Sequence, residues 1–489
     1  MTVDAPADPS PPNPHAPHAF GQMRGHLLKG NIDAMRGDPL AFYTQTQRTG
    51  GHYTRFHVVP GIHGYLLTHP DAIEQVLYKN HKTFRKPDRF YNAVSLLVGN
   101  GLFTSEGDLW TRQRKLIQPA FHPLSLAKLV PAINVAVDHF VETQHTRIAP
   151  IKTSAAAQDE PLDIDHAMTN LGLAITNSTL FSSDLAGDAH AMGQAFRTAF
   201  AHLGNRMNSA QLMPNWLPTP ANLRFARAKK LLDNVVLDLI TKRKETHANT
   251  LAAKQADSQA SNPKLPQNDL LDMLLSARDS QTGQSIHTRQ LMDEILTLLT
   301  AAHENIGAAF TWTWHLLAQH PKIQSDVYDE IHAQLRGGQP TAEDIPRLPL
   351  TRAVFEEAMR LYPPGWGELR ESIDAQDLQG HDLPAKALIV LCQWVTHRHP
   401  DFWEDPLAFN PQRFMPGQPQ KYHRFAYFPF GGGPRVCIGM QLALMEGVIV
   451  IARLLQQFTI TPANDEPVVP DATFTLRPRD GLKVILKPR

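Results

Sequence analysis

The spacing of apolar residues along the chain predicts a mainly helical protein with a small β-sheet portion. Between residues 126 and 243, apolar positions recur at helical spacing with little sign of strands. The longest helical pattern covers Thr288–Gln319, contains no proline and is followed by Pro321, a residue typical of helix ends. Thr288 is the expected N-cap. About thirty residues at about 1.5 Å each span on the order of 45 Å, enough to cross a whole domain.

Strands are predicted near the N-terminus, where two short β-prone runs occupy Tyr53–Val59 and residues 62–68. They flank a Pro-Gly pair at 60–61, which indicates a hairpin turn. A helix is expected to begin at Pro70. Residues 246–268 are polar and interrupted by proline, so we expect a surface loop or mobile insert there, not a linker between domains.

The first twenty residues carry six prolines and no apolar run, which predicts a disordered or polyproline-like tail at 1–20. No stretch of roughly 20 consecutive apolar residues occurs, so we expect no membrane anchor. A basic start followed by a hydrophobic core, as in a secretion signal, is also missing. These features predict a protein of the cytoplasm.

The chain carries 47 basic and 47 acidic residues, so no bulk charge favours nucleic acid or an anionic membrane. We therefore expect no nucleic-acid partner. Its two cysteines, Cys392 and Cys437, exclude a disulfide framework and suit a reducing compartment. Cys392 lies in an apolar run at 387–395, where the simplest expectation is a core residue.

The sequence Phe-Gly-Gly-Gly-Pro-Arg-Val-Cys-Ile-Gly at 430–439 runs into an apolar helical pattern at 440–458. Cys437 therefore lies where a glycine-rich loop meets a helix start, and the free N–H groups and macrodipole there favour thiolate over thiol. A thiolate in apolar surroundings is a strong ligand for haem iron. The glycines let the backbone approach a flat cofactor. Arg435 could donate to a haem propionate, and Phe430 could cover the sulfur.

Taken singly, a buried cysteine is usually a small hydrophobic residue, and Gly-Gly-Gly-Pro is usually a turn. A phosphate-binding loop is also conceivable, but the Lys-Ser/Thr that such loops require is missing. The spacing Phe-x-x-Gly-x-Arg-x-Cys-x-Gly fixes half of the ten positions. It resembles the haem-binding loop of the cytochromes P450, the haem-thiolate monooxygenases.

This resemblance covers most of the chain and implies the cytochrome P450 fold, mainly α with a small β subdomain and a long central helix across the haem. It implies one catalytic domain at 21–489, of the soluble bacterial type. The implied cofactor is haem b (iron protoporphyrin IX), with Cys437 as the metal ligand. Phe430, Gly431 and Arg435 of the loop are then cofactor-binding residues.

Two further places in the sequence match propionate-binding positions of the family. Trp110 and Arg114 are four residues apart and share a helix face, and they resemble the family's Trp-x-x-x-Arg pair. The alternative is an exposed arginine stacked near an indole, which is common. Arg370 matches a third propionate ligand by its position.

The middle of the long helix, Ala-Ala-His-Glu-Asn at 301–305, resembles the family's Ala/Gly-Gly-x-Asp/Glu-Thr. Glu304 matches the acid, whereas Asn305 occupies the threonine position. The resemblance makes both catalytic residues of proton delivery. An acid in an apolar helix is costly unless it is partnered or functional, and the plain alternative is that Glu304 faces solvent. The zinc motif His-Glu-x-x-His fails because its second histidine is replaced by Gly307.

The resemblance also assigns structural and pocket residues. Glu357, Arg360 and Arg413 correspond to a buried charge network that supports the thiolate side of the fold. Residues 476–478 and 481–484 correspond to a closing pair of strands. Substrate-pocket positions fall at 95–98, 364–369 and 474–475.

The resemblance implies an oxidoreductase that reduces O2 with two electrons and inserts one oxygen atom into a lipophilic organic substrate. The electrons would come from NAD(P)H through a separate ferredoxin or flavodoxin with its reductase, and a monomer is expected. One alternative is a peroxide-driven or isomerising haem-thiolate enzyme that needs no electron partner, which Asn305 favours and Glu304 opposes. The other is a haem-binding sensor or carrier without catalysis. The substrate itself is not identified by any pattern in the sequence.

Overall fold

The fold is known from a computed structural model that describes residues 18–148, 160–181, 189–208, 214, 216–256, 269–279, 283–417 and 422–489. It is mainly helical with small sheets, which confirms the predicted fold class. Of the predicted tail at 1–20, residues 1–17 lie outside the described residues. His18 donates its backbone N–H to the carbonyl of Gly380 at 2.7 Å, so the chain is held against the protein from this point.

Helices account for most of the described elements. They are α1 (Ile32–Gly37), α2 (Pro39–Gly50), α3 (Pro70–Glu74), α4 (Asp88–Val98), α5 (Gly107–Ile117), α6 (Pro123–Leu126), α7 (Val130–Ile148), α8 (Ile164–Phe181), α9 (Ala189–Asn208), α10 (Pro220–Ala256), α11 (Leu270–Ser276), α12 (Thr288–Gln319), α13 (Pro321–Leu335), α14 (Pro349–Leu361), α15 (Gln393–Thr396) and α16 (Met440–Gln457).

The strands are short. They are β1 (Gly21–Met23), β2 (Tyr53–Val59), β3 (Ile62–Leu67), β4 (Phe84–Arg85), β5 (Leu162–Asp163), β6 (Glu368–Ser372), β7 (Gln376–Leu378), β8 (His381–Leu383), β9 (Leu388–Leu391), β10 (Phe458–Pro462), β11 (Pro470–Ala472), β12 (Leu476–Pro478) and β13 (Lys483–Pro488). One sheet has the order β1-β2-β3-β9-β6-β4, a second β10-β13-β5, and two hairpins are β11-β12 and β7-β8.

The long helix α12 has the predicted bounds, but its predicted N-cap is wrong. The N-cap position is His287, and Thr288 is the first helical residue. The hydroxyl of Thr288 instead accepts a hydrogen bond from Nζ of Lys244 at 2.8 Å. Helix α12 packs against α8 so closely that a Cβ at Gly307 would lie 2.9 Å from Cα of Thr169.

The predicted hairpin is confirmed, since β2 and β3 pair antiparallel around the Pro-Gly turn. The expected pairing of the two C-terminal segments with each other is wrong. Strand β12 pairs with β11, whereas β13 pairs with β10 and β5. Strands β12 and β13 therefore pair with different elements. The local sequence carries no information on which strands pair with each other.

The predicted loop at 246–268 is wrong over its first part, because α10 continues to Ala256; residues 257–268 lie outside the described residues. Contacts with α11 explain how a polar segment stays helical. The His247 ring bonds to Asp272 at 2.9 Å, and one turn earlier Arg243 donates to Asp269 and Asp272 at 2.7 and 2.6 Å.

One helical stretch of the described chain, Pro123–Ile148, is long and apolar enough to pass for a membrane span by length and composition. Of its most apolar window, 44% is buried inside the protein. Core helices pass the same test, and residues of this stretch such as Ile133 and Val137 are fully buried. The stretch is therefore weak evidence for a membrane.

The predicted charge network is present and buried. Arg360 donates to both carboxylate oxygens of Glu357 at 2.7 and 2.8 Å, and both side chains are 0% exposed. Arg413 approaches the same carboxylate at 3.4 Å. Arg360 also donates to the backbone carbonyls of His397, Pro406 and Ala408, so it ties α14 to the loop that leads towards Cys437.

Candidate active site

The glycine-rich loop before α16 is shaped by its backbone contacts. The N–H of Cys437 donates to the carbonyl of Phe430 at 2.9 Å, which closes the loop on itself. Gly431 and Gly433 have positive φ values of 71° and 64°, which side chains other than glycine rarely adopt. A Cβ at Gly433 would lie 1.8 Å from the carbonyl oxygen of Leu77. Glycine is therefore required for the loop to pack where it does.

The thiol of Cys437 has a raised pKa, which corrects the expectation that the helix start favours thiolate. The N–H groups of Gly439 and Met440 and the charge of Arg114 lower it, but the effect of burial is larger. A metal reverses this balance, because a coordinating thiol is deprotonated outright. Cys437 keeps accessible surface despite the surrounding protein, so it is open to a ligand.

Two of the predicted propionate-binding arginines lie next to the cysteine. Arg435 pairs with Glu106 at 2.5 Å, and its guanidinium lies 4.2 Å from the centre of the Trp110 ring. Arg114 donates from Nη1 to the carbonyl of Val436 at 3.0 Å. Trp110 and Arg114 both lie on α5, so this helix presents them together to the loop.

Arg370 joins this group from β6, together with Lys86, a residue that sequence reasoning missed. Arg370 is buried and pairs with Glu368 at 3.2 Å. The Nζ of Lys86 donates to the carbonyl of Phe103. Burial, with Arg435 and Arg370 nearby, lowers the pKa of Lys86 to about 7. Lys86 lies in an irregular segment without any spacing signal, so only the folded chain reveals it.

The charges around the loop suit an anionic cofactor. The three arginines Arg114, Arg370 and Arg435, with Lys86 partly protonated near pH 7, stand against the two carboxylates Glu106 and Glu368, which leaves an excess of positive charge. Burial contributes most to the lowered pKa of Lys86, and repulsion from Arg435 and Arg370 adds to it. A cofactor with two propionates would balance the excess. Together with a thiol open to a metal, the residues present fit haem.

The middle of α12 also keeps accessible surface. Ala301 is exposed and Ala302 and Asn305 are partly exposed, although the turns on both sides are buried. The Nδ2 of Asn305 donates to the carbonyl of Ala301 at 2.8 Å. Small side chains and open space at this point are what a cofactor face and a small gas molecule require.

Glu304 is partnered rather than free. Its Oε2 accepts from Nε of Arg477 at 3.1 Å and lies 3.0 Å from Nη2. Arg477 also donates from Nη1 to Asp165 Oδ1 and to Thr169 Oγ1, both at 2.8 Å. This guanidinium links α12 and α8 to strand β12. Sequence reasoning assigned it only to a strand, since 173 positions separate it from Glu304.

The neighbouring His303 is buried against the ring of Phe196 on α9, with ring centres 5.5 Å apart. Burial lowers its pKa to about 4, so the imidazole is neutral near pH 7. Of the positions predicted for the substrate pocket, 474–475 lie in the same region. Phe474 packs on Phe200 at 5.2 Å between ring centres, and Thr475 lies 3.5 Å from Glu304.

Haem-thiolate proteins hold the haem iron through a cysteine sulfur, and the accessible Cys437 is placed for that role. The sequence profile described as "Cytochrome P450" matches residues 16–486. The chain belongs to the cytochrome P450 family and is an oxidoreductase. The family membership implies a haem-thiolate cofactor.

Several bacterial relatives cover most of the chain. "Cyclooctat-9-en-7-ol 5-monooxygenase" of Streptomyces melanosporofaciens is 30% identical over 461 residues, covering 94% of this chain and 93% of its own. "Pentalenene oxygenase" of Streptomyces avermitilis is 31% identical over 413 residues, covering 84% and 85%. A crystal structure of the cytochrome P450DA heme domain matches with a TM-score of 0.82 at 21% identity, covering 97% and 98%. This last likeness concerns the fold alone.

Proposed function

We propose that the protein binds haem b through Cys437 and inserts one oxygen atom from O2 into a lipophilic substrate, using electrons from NAD(P)H. The observation that carries the proposal is the accessible Cys437 beside an excess of positive charge. Arg114, Arg370, Arg435 and Lys86 would hold the propionates, while Phe430, Gly431 and Trp110 would shape the surrounding site. Thiolate-bound haem iron supplies O2 activation and O–O cleavage.

The iron ligand is tested by the absorption spectrum of the reduced protein under carbon monoxide. We expect the red-shifted Soret band of a thiolate-ligated haem in the wild type and its loss in Cys437→Ser. Cys392→Ser is the matched control, because Cys392 is buried in the core and should leave the band unchanged. A wild-type Soret band at the position of a histidine-ligated haem, or purification without porphyrin, would show that the proposal is wrong.

Glu304 and Asn305 are proposed to deliver protons at the open middle of α12. The amide of Asn305 is oriented by its bond to the Ala301 carbonyl, so it can position a water molecule that passes a proton on. Glu304 is the proposed proton source. The Glu304 side chain itself keeps 13% of its surface exposed, so it can take up a proton from solvent directly.

Replacing Asn305 tests this assignment through the ratio of product formed to NADPH consumed. Asn305→Ala removes the oriented amide, so we expect the ratio to fall while the substrate-induced spectral shift persists. Asn305→Thr, which restores a hydroxyl, should keep the ratio near that of the wild type. An unchanged ratio and rate in Asn305→Ala would refute the role of Asn305.

Electron delivery by a separate ferredoxin or flavodoxin with its reductase is part of the proposal. The rival is a peroxide-driven or isomerising enzyme, which the amide at position 305 favours because family members of the usual type carry an alcohol there. Turnover with a reductase chain and NAD(P)H, compared with turnover on peroxide alone, separates the two. Faster turnover on peroxide alone would support the rival.

The proposed substrate class is lipophilic, with terpenoids first. The names of two relatives given above state oxidation of pentalenene and of cyclooctat-9-en-7-ol. Aromatic side chains line the region beside Glu304, among them Phe196, Phe200 and Phe474. A spectral-shift screen of terpenes, fatty acids, polyketides and aromatic compounds tests the class. A haem-binding carrier without catalysis would show no substrate-induced loss of the low-spin band.

We also propose that the protein works in the cytoplasm as a monomer. Support for the reducing compartment is the free state of Cys392 and Cys437. Size-exclusion chromatography with light scattering tests the monomer, and fractionation of the cells that make the protein tests the compartment.

A further inference from the structure

A group of imidazoles and carboxylates lies apart from the residues assigned to the cofactor, where the start of β2 meets the turn after α15. Nε2 of His52 lies 3.0 Å from Oδ2 of Asp401, and Nδ1 of His399 lies 3.7 Å from the same oxygen. The three residues can each offer a ligand atom within 4.8 Å of the other two. Ligands of a tetrahedral Zn²⁺ at about 2.0–2.1 Å stand about 3.3 Å apart. The spacing of this group, called here the His52 cluster, therefore suits a metal ion.

The outer nitrogen of each imidazole in the His52 cluster is held by a protein side chain. Nδ1 of His52 bonds to Oγ1 of Thr68 at 2.9 Å, and Nε2 of His399 lies 2.7 Å from Nε2 of Gln47, whose amide oxygen takes that place when the amide is turned over. The inner nitrogens are thereby directed at Asp401. Metal-binding histidines are typically oriented in this way by the second ring nitrogen. An ordinary surface ion pair needs one imidazole, whereas here the second imidazole, that of His399, also has its inner nitrogen 3.7 Å from the same carboxylate oxygen.

Burial distinguishes the three ligands. The side chains of His399 and His52 are 9% and 20% exposed, whereas Asp401 is 61% exposed. The imidazole side of the cluster is therefore largely buried, and the carboxylate side is open to solvent. An ion can enter from the carboxylate side. The backbone N–H of Asp401 now donates to Nδ1 of His399 at 3.1 Å, and a metal ion would replace that hydrogen bond.

A second group nearby is a poorer candidate. Asp71, Glu74 and His423 also lie within ligand distance of one another. Glu74, however, pairs with Nζ of Lys79 at 2.6 Å, so this carboxylate already has a cation. His69 stands between the two groups, 3.6 Å from Asp71 and with its ring centre 5.4 Å from that of His52.

We propose that His52, His399 and Asp401 bind a divalent first-row transition metal, with Zn²⁺ as the first choice. Two imidazoles and one carboxylate are a zinc donor set that leaves a fourth position for water. The ion would join the N-terminal sheet to the turn after α15, elements that 349 positions of sequence separate. Its role is structural, since a ligand that binds only the folded state stabilises that state.

The test uses the untagged holoprotein, because an affinity tag binds zinc itself. Zinc per chain is measured after dialysis, affinity by calorimetric titration with Zn²⁺, and the ligands by X-ray absorption at the zinc edge, which haem iron does not obscure. We expect one Zn²⁺ per chain with nitrogen and oxygen ligands, and a higher Tm with zinc. His52→Ala and His399→Ala should weaken binding more than tenfold, and Thr68→Val by about 10–100-fold.

Two histidine variants serve as controls. His139→Ala removes an exposed histidine of α7 and should bind zinc as the wild type does, which excludes general surface binding. His423→Ala should also have no effect. The proposal would be overturned if the wild type retained no zinc. It would also be overturned if His52→Ala and His399→Ala both bound zinc as the wild type does, or if only His423→Ala lost zinc. The haem absorption spectrum of each variant reports whether it folds, and the wild-type absorption data do not depend on any variant.

Discussion

Burial moves several ionisable side chains of this protein towards their neutral forms. The pKa of Glu446 on α16 rises to about 8, that of Lys86 falls to about 7, and that of His303 falls to about 4. In each case removal from water penalises the charged form. Glu304 and Arg477 instead form an ion pair, in which each side chain balances the charge of the other.

Glu446 provides a prediction of pH-dependent stability. Its folded pKa lies above the unfolded value of about 4.5, so the folded state keeps the proton to higher pH. The contribution to stability is complete below about pH 4.5 and is lost as the pH rises through about 8. Glu446→Gln mimics the protonated form. We therefore expect its Tm to fall less than that of the wild type between about pH 5 and about pH 9.

The control for this comparison is Glu343→Gln, since Glu343 is exposed. Its Tm profile should follow that of the wild type. If Glu446→Gln shows the same decline as the wild type, Glu446 ionises without cost and the assignment of its pKa to burial is wrong.

At the scale of elements, the loop at 430–439 is positioned by its packing on the helical turn at 75–79. The close approach of Gly433 to the Leu77 carbonyl brings the two backbones into contact. This contact holds the loop against a neighbouring segment. The hydrogen bond from the N–H of Cys437 to the carbonyl of Phe430 holds the two ends of the loop together. We expect both contacts to be needed to orient the sulfur.

Gly433→Ala tests this contact. The added Cβ would meet the Leu77 carbonyl oxygen and would require a positive φ of 64°, so we expect a loss of more than about 1 kcal/mol in the free energy of unfolding. Haem retention should also fall. The measurements are Tm and the ratio of haem to protein.

Gly365→Ala is the matched control, because a Cβ at Gly365 meets nothing within 4 Å. We expect that variant to keep its haem. Equal haem content and Tm in the two variants would show that the contact with Leu77 does not position the loop.

At the scale of the molecule, the buried pair of Glu357 and Arg360 joins elements that are distant in sequence. Three backbone carbonyls at 397, 406 and 408 accept from the Arg360 guanidinium, which also lies 4.9 Å from the centre of the Trp403 ring. The pair therefore contributes little net stability, but its hydrogen bonds are satisfied only when these segments are arranged as they are here.

Arg360→Ala should lower the free energy of unfolding by about 3–5 kcal/mol, because it leaves the Glu357 carboxylate buried without its partner. Denaturant unfolding measures the change. Arg352→Ala is the matched control on the same helix. Arg352 is 43% exposed and pairs with Glu356, so its loss should cost at most about 1 kcal/mol. Equal losses in both variants would contradict the role of the buried pair.

The bounds of α12, the β2–β3 hairpin and the cysteine loop could all be predicted because each depends on neighbours in sequence. Helical spacing without proline defines Thr288–Gln319, and a Pro-Gly pair defines the hairpin. The start and the end of α12 depend mainly on residues that are near in sequence. Its cap was nonetheless predicted one residue late, since Thr288 bonds to Lys244 instead.

Contacts between distant segments were decided only by the tertiary structure. The partner of Glu304 proved to be Arg477, and Lys86 joined the cations around Cys437. The pKa of the Cys437 thiol rises because burial, a property of the whole fold, outweighs the local N–H groups that the sequence indicates. Spacing along the chain thus determined the elements and identified Cys437 as the proposed iron ligand. The charges that surround Cys437, and the strength of their interactions, depended on packing and on burial.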